Sequence, residues 1–250
     1  MEGLNREDFP AGTVAIPCND LARYHHFTHD LTLLDVPDGT VISMHRSASI
    51  VQNMNQIVEA MLATDSAWMW IIGDDHTFKR DTVLRLLAHD LDIVAPLCSR
   101  RGPPFSLVAF DYQQGEDELG RPLYHALQYD ELPEHGLVPV TAAGTAGMLV
   151  KRHVLEAIGN PWFENSDGRT QNEDIEFCRK AVDAGYQIHV DVDTSIGHIG
   201  VFATWPTRRQ NEWGITFDFQ GQGRNDIFIA GGIRPNDQGA PDTRTGTLDW

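Results

Sequence analysis

The stretch W-M-W-I-I-G-D-D-H, residues 68 to 76, decides how this chain is read. Ala67 to Ile72 has the length and apolar character of a buried strand, and it stops abruptly at Gly73. Two carboxylates and an imidazole follow at once: Asp74, Asp75 and His76. In an open α/β sheet, ligands bind at the carboxyl ends of the strands. Carboxylates placed there can hold a hard divalent cation. Residues 74 and 76 alternate along an extended chain, so Asp74 and His76 point the same way and Asp75 faces the ligand side or the protein. The competing reading is a polar turn that closes a hairpin.

Working outward, the flanks alternate between strand and helix. Thr13 to Pro17 (TVAIP) and Val41 to Met44 are short apolar runs bounded by turn residues. Ser47 to Ala63 carries Ile50, Met54, Ile57, Val58, Met61 and Leu62 at helical spacing, with Ser47 or Ser49 as the cap. Downstream, Asp81 to His89 reads as a short helix and Asp92 to Leu97 as a strand. This alternation predicts βαβ units and a mostly parallel sheet. Ser99 to Gly136 is less regular, with a strand expected near Ser106 to Asp111. Val138 to Thr141 and Gly147 to Val150 read as strands around the small-residue turn A-A-G-T-A-G. Two helices follow, Arg152 to Ile158 and Asn172 to Ala184, each ended by a glycine, with Asn172 as the cap of the second. Tyr186 to Val192 alternates like a strand.

Composition narrows the function classes. The chain has 250 residues, 41% hydrophobic and 22% charged, which suits a folded globular body. Its 36 acidic and 19 basic residues give a formal charge of −17. Such a surface repels nucleic-acid phosphates and anionic membranes. It repels a nucleoside diphosphate as well, so a phosphate site here needs a metal or a local arginine cluster. Arg100, Arg101, Arg208 and Arg209 are the basic residues available for a local patch. Cys18, Cys98 and Cys178 form no CxxC pair, and the odd count argues for free thiols in a reducing cytosol. Met1 to Pro10 lacks the pattern of a signal peptide, and no apolar run approaches the roughly 18 residues of a membrane span. The expectation is a cytoplasmic protein.

Two further stretches carry chemistry. N-E-D-I-E-F at 172 to 177 crowds Glu173, Asp174 and Glu176 into the first turn of a helix, where the dipole favours anions. That is a sufficient structural reason; the functional one is that Asp174 or Glu173 takes a proton from a hydroxyl in a cleft. S-I-G-H-I-G at 195 to 200 sets His198 between glycines, either as a packed loop histidine or as a third ligand beside Asp74 and His76. In Tyr24-His25-His26 and His29, the histidines at 25 and 29 have the helical spacing of a zinc pair but no supporting Cys or carboxylate cluster nearby. No P-loop, dinucleotide fingerprint or nucleophile elbow is present.

In order and spacing, these pieces resemble the GT-A glycosyltransferases, in particular the family-2-like branch. The resemblance covers roughly residues 12 to 202. It rests on V-A-I-P at 14 to 17, the helix 47 to 63, the D-D-H triplet, A-G-T-A-G-M-L-V-K-R at 143 to 152, the E-D pair and G-H-I-G at 197 to 200. The resemblance implies an α/β, GT-A type, single Rossmann-like domain with a small antiparallel acceptor-side sheet. Residues 1–11 are then an N-terminal extension, 12–220 the transferase domain, and 221–250 a partly flexible tail.

The resemblance also implies roles. The family's DxD motif appears here as Asp74-Asp75-His76, and Asp74, His76 and His198 become the metal ligands. A mixed oxygen and imidazole set suits Mn²⁺ better than Mg²⁺. Asp174, with Glu173 beside it, becomes the catalytic carboxylate. Ala15, Ile16, Pro17 and Asn19 match the uridine edge; Arg46, Asn53 and Asn55 are further candidates for the nucleotide or diphosphate, with Asp74 and Asp75. Gly144 to Gly147 matches the segment against the donor sugar. Arg208 and Arg209 read first as two solvated surface arginines, and in the alternative as part of a flap that closes over the diphosphate. The implied reaction moves a hexose from a nucleotide sugar, UDP-linked, to an acceptor hydroxyl, by inversion in preference to retention. The acceptor is a glycan, a small molecule or a modified phage nucleobase. The alternatives are a metal-dependent nucleotidyltransferase, a nucleotide-sugar hydrolase, and a non-catalytic binding module.

Overall fold

Trp68, Met69, Trp70 and Ile71 are all buried, in a strand that lies third in a seven-stranded sheet. The computed structural model describes residues 4–18, 24–47, 49–116, 122–165, 173–209, 212–219 and 223–228. The chain divides into two compact units, 1–100 with 106–199, and 101–105 with 200–250.

The first unit opens with β1 (Thr13–Cys18), α1 (His25–Leu33), β2 (Val41–Arg46) and α2 (Ile50–Leu62). Next come β3 (Trp68–Ile71), β4 (His76–Thr77), α3 (Thr82–Ala88) and β5 (Ile93–Leu97). The middle holds β6 (Ala109–Glu116), β7 (Pro122–Ala126), β8 (Leu137–Val140), β9 (Ala142–Ala143) and β10 (Met148–Lys151). It closes with α4 (Arg152–Ile158), α5 (Glu173–Asp183), β11 (Ile188–Ser195) and β12 (Gly197–His198).

The main sheet has the order β2-β1-β3-β10-β5-β11-β8. β1 is parallel to β2 and β3, and β11 is parallel to β5. β10 runs antiparallel between β3 and β5, and β8 is antiparallel at the edge. Five strands therefore point one way and two the other, as the mostly parallel expectation has it. β7, β6 and β9 form a small antiparallel sheet, and β4 pairs with β12.

Side-chain alternation splits the core into two layers. Ala15, Met69, Ile71, Ala95 and Val190 pack against α2, α4 and α5, through residues such as Met54, Leu155 and Phe177. Val14, Ile16, Trp68, Trp70 and Val94 pack on the other face, against Phe27 of α1 and Val83 and Leu86 of α3. Ser49, rather than Ser47, caps α2, its side chain accepting from the Gln52 N–H at 3.2 Å. Helix α1 escapes a periodicity reading because it buries only Phe27 among polar neighbours. Asn172, the expected cap of α5, lies outside the described residues.

The second unit contains β13 (Ala203–Arg209), β14 (Glu212–Asp218) and β15 (Arg224–Phe228), an antiparallel sheet. Phe202 packs on Phe217 and Phe219, and Phe105 on Phe219, with centroids 5.3 to 5.8 Å apart. Arg208, in the alternative reading part of a closing flap, belongs to β13. The last described residues, β15, fall inside the stretch read as a tail. Among the described residues, no helix is long and apolar enough to cross a membrane.

Candidate active site

The carboxyl ends of the parallel strands converge on one cavity of about 610 Å³. β1 delivers Pro17 and Cys18, β3 runs into Gly73 to His76, β5 ends next to Cys98, and the chain leaving β11 brings His198. Asn53 of α2 and Glu173 and Asp174 of α5 complete the wall with Gly144. A polar cavity at this edge is where an open α/β sheet holds ligands.

Pairing of β4 with β12 makes the histidine pair. Residues His76 and His198 stand directly opposite in antiparallel register, which brings side chains on one face together. Their rings stack with centroids 4.4 Å apart and planes 24° from parallel. Asp75 lies between them, its Oδ1 3.0 Å from His76 Nδ1 and its Oδ2 3.2 Å from His198 Nε2. The Ile199 N–H donates to the Asp75 carbonyl at 2.7 Å and fixes the two segments together. Burial pushes the Asp75 carboxyl up, but hydrogen bonds from His198 and His76 outweigh it and hold the group well below the usual carboxylate range. Gly73 allows this crowding: a Cβ there would fall 2.9 Å from Asp75 Oδ1 and 3.0 Å from His76 Nδ1.

Cys98 joins the cluster from the end of β5. One ligand atom each from His76, Cys98 and His198 lies within 4.8 Å of the others. Burial, with the Asp75 charge adding to it, pushes the Cys98 thiol up to about 12. Asp74 lines the same cavity.

Three buried polar atoms on this wall have no hydrogen-bond partner among the described residues: His76 Nε2, Asn53 Oδ1 and Glu173 Oε2. Buried polar groups are nearly always paired, so three orphans around one cavity point to a polar ligand. Asn53 is oriented by donating from Nδ2 to the Cys18 carbonyl at 2.9 Å. Asp174 accepts from the Ile175 N–H at 2.8 Å. Burial, reinforced by the neighbouring Glu173 charge, raises its pKa to about 6, against the pull of backbone N–H groups and Arg100. Gly144 lies beside it: a Cβ there would meet Val108 Cβ at 3.2 Å and reach ordinary contact with Asp174 Oδ2 at 3.6 Å.

Of the residues singled out by sequence, Pro17, Asn53, Asp74, Asp75, His76, Gly144, Glu173, Asp174 and His198 line this cavity. Ala15, Ile16, Arg46, Asn55 and Gly147 are not among the residues that line it. Ala15 and Ile16 are buried in the two core layers, their side chains spent on packing. Gly147 has a φ of 73°, and a Cβ there would meet Pro96 Cγ at 2.6 Å, so it answers a packing need. Asn55 holds the loop before α5: its Oδ1 accepts from the Trp162 and Phe163 N–H groups and its Nδ2 donates to the Phe163 carbonyl. Arg46 ends the edge strand β2 and is not among the lining residues. Asn19 lies outside the described residues. Sequence reasoning missed Cys98 and Asn165 as lining residues, while Thr145 and Ala146 fall in the Gly144 to Gly147 segment it singled out. Cys98 carried a usable signal, because it directly follows an apolar strand, as Gly73 does.

No protein-family model matches the sequence, and no curated protein matches it. Among solved structures the chain is similar to GalNAc-T7 crystallised with UDP, GalNAc and Mn²⁺, at 12% identity and a TM-score of 0.51. That match covers 76% of this chain and 44% of GalNAc-T7. The fold is of the GT-A type. TarS from S. aureus also matches, at 12% identity and a TM-score of 0.49, over 76% of this chain and 37% of TarS. So does A197 from STIV, at 14% identity and a TM-score of 0.48, over 91% of this chain and 98% of that one.

Proposed function

We propose that the chain is a metal-dependent glycosyltransferase that takes a sugar from a UDP-linked donor to an acceptor hydroxyl. One observation carries this reading. Paired imidazoles with a bridging carboxylate, and a second carboxylate with a raised pKa, line one cavity at the carboxyl edge of a GT-A sheet.

The donor set fits a divalent cation, held by His76 and His198 with carboxylate help from Asp74 or Asp75. The orphaned His76 Nε2, buried on the cavity wall, supports that fit. Such a cation, Mn²⁺ on an oxygen and imidazole set, supplies Lewis-acid neutralisation of a diphosphate leaving group. It also answers the charge problem of a chain with a net −17 that must bind an anion.

The chain's own residues supply the rest. Asn53 Oδ1 offers a buried acceptor to an N–H on the donor base, which suits the imide of uracil. Asp174 takes the proton of the acceptor hydroxyl as that oxygen attacks the anomeric carbon. A base with a pKa of about 6 is ionised at neutral pH yet still near enough to accept a proton efficiently. Glu173 Oε2 is a second acceptor for orienting that hydroxyl. This assignment gives inversion. Three buried cysteines, none of them in a disulfide, fit a reducing compartment such as the cytoplasm.

The test is release of UDP from a panel of UDP-sugars, with and without divalent cation and with candidate glycans, small alcohols and hydroxymethylated nucleobases. The reading expects cation-dependent release that rises with a specific acceptor and is lost in Asp174→Asn. Release indifferent to every acceptor would identify a hydrolase instead. No release with any donor would leave a binding module.

A further inference from the structure

We infer that His76, Cys98 and His198 together bind one thiolate-seeking divalent cation of the zinc class, with Asp75 orienting the His76 imidazole and the Ser99 carbonyl that of His198. This replaces the Mn²⁺ of the proposed transferase with a zinc-class cation at the same histidines and rests on that reading for its catalytic place, though not for the binding itself.

The argument begins with proton positions. His76 Nδ1 faces two acceptors, the Gly73 carbonyl at 3.2 Å and Asp75 Oδ1 at 3.0 Å. The proton of a neutral His76 therefore sits on Nδ1, and Nε2 carries a lone pair. That Nε2 is buried and has no partner among the described residues. His198 Nδ1 faces the Ser99 carbonyl at 3.2 Å, so it too is the N–H. In a neutral His198 the Nε2 lone pair then faces Asp75 Oδ2, 3.2 Å away, and the hydrogen bond to Asp75 forms only when that ring is also protonated on Nε2. Two acceptors cannot hydrogen-bond each other, so a positive charge belongs there. A proton would satisfy His198 and leave His76 Nε2 orphaned. A metal ion serves both rings.

Cys98 decides which metal. Its Sγ lies within 4.8 Å of one ring nitrogen of each histidine, and its own hydrogen bond is 3.5 Å to the Ser99 carbonyl. Zinc bonds of about 2.0–2.3 Å hold tetrahedral ligand atoms roughly 3.4–3.8 Å apart, so modest side-chain rotation closes the site. Thiolate and imidazole favour Zn²⁺ over Mn²⁺ and strongly disfavour Mg²⁺, which takes oxygen. Asp75 holding the Nδ1–H of His76 is the carboxylate–histidine arrangement that fixes a ligating ring. Three protein ligands that all line the cavity leave the fourth position of a tetrahedral ion facing that cavity, the pattern of a zinc site open to a substrate oxygen.

Cobalt alone tests this, with no nucleotide and no turnover. Co²⁺ added to the chelator-stripped full chain is expected to give a thiolate-to-cobalt charge-transfer band in the near ultraviolet. One equivalent should saturate it, and Zn²⁺ should displace it. Cys98→Ser should remove the band, while Cys18→Ser, at the other cysteine on the cavity wall, should keep it. Zinc-edge X-ray absorption on the wild type needs no variant and should show one sulfur at about 2.3 Å with nitrogen and oxygen at shorter distance. Absence of sulfur in that shell, or a band that survives Cys98→Ser, overturns the inference. Zinc bound through sulfur in a chain that transfers no sugar upholds this inference and removes the transferase reading. Transfer with Mn²⁺ and no metal–sulfur bond does the reverse.

Discussion

Replacing Asp174 with Asn should make the protein more stable and inactive at once. The carboxyl titrates near 6 in the fold instead of its ordinary 3.8, chiefly because burial disfavours its charge. A folded pKa above the unfolded one means that the native state holds the proton more tightly. The favourable contribution is complete below about pH 3.8 and is lost as pH rises through about 6. At pH 7.5 the ionised group costs the fold about 3 kcal/mol by linkage, and about 2 once its opening onto the cavity is counted. Asn keeps an oxygen for the Ile175 N–H, which donates at 2.8 Å, and removes the charge. With a chelator present, Asp174→Asn should melt roughly 4–8 °C above the wild type at pH 7.5, the gap closing towards pH 4. Its transfer rate should fall by about 10²–10⁴. A stability gap that ignores pH, or a variant no more stable at pH 7.5, would refute the claim that a buried charge is kept here for chemistry.

Other substitutions separate cation binding from folding. Gly73→Ala places a methyl against the ends of the Asp75 and His76 side chains, which can swing aside. It should shift the melting temperature little and weaken cation affinity about 10–100-fold, read by metal titration. Gly147→Ala meets the rigid Pro96 ring at a φ of 73°. It should cost about 2–4 kcal/mol in denaturant unfolding, whatever ligand is present. Asn55→Ala breaks three hydrogen bonds to the Trp162–Phe163 backbone, and should cost about 2–3 kcal/mol while leaving UDP affinity of the folded fraction unchanged.

The elements easiest to read from sequence were those with one dominant force. The α2 apolar stripe and the buried β3 run are periodicity signals, and both stand where they were expected. Helix α1 was harder because one buried phenylalanine makes no stripe. At the cavity, the strand-end rule led to Asp74, Asp75 and His76 but took Asp74 as the carboxylate beside His76, where the structure sets Asp75 against both imidazoles; a histidine between glycines after a strand led to His198. The same rule applied to β1 overreached: Ala15 and Ile16 sit inside the strand, and only Pro17 and Cys18 at its end reach the cavity. Cys98 was read by count, as a free thiol, when its place after β5 was the informative feature. The pairing of β4 with β12 lay beyond sequence reasoning altogether, since two-residue strands leave no periodicity.

The account stands on a cation that couples His76 and His198 to a diphosphate. Calorimetric titration of UDP into the chain, with chelator and then with one equivalent of Zn²⁺ or Mn²⁺, measures that coupling directly. The cation should tighten UDP binding by about 10-fold or more, and His198→Ala should erase the gain. UDP affinity that is the same with chelator, with metal and in His198→Ala would contradict it.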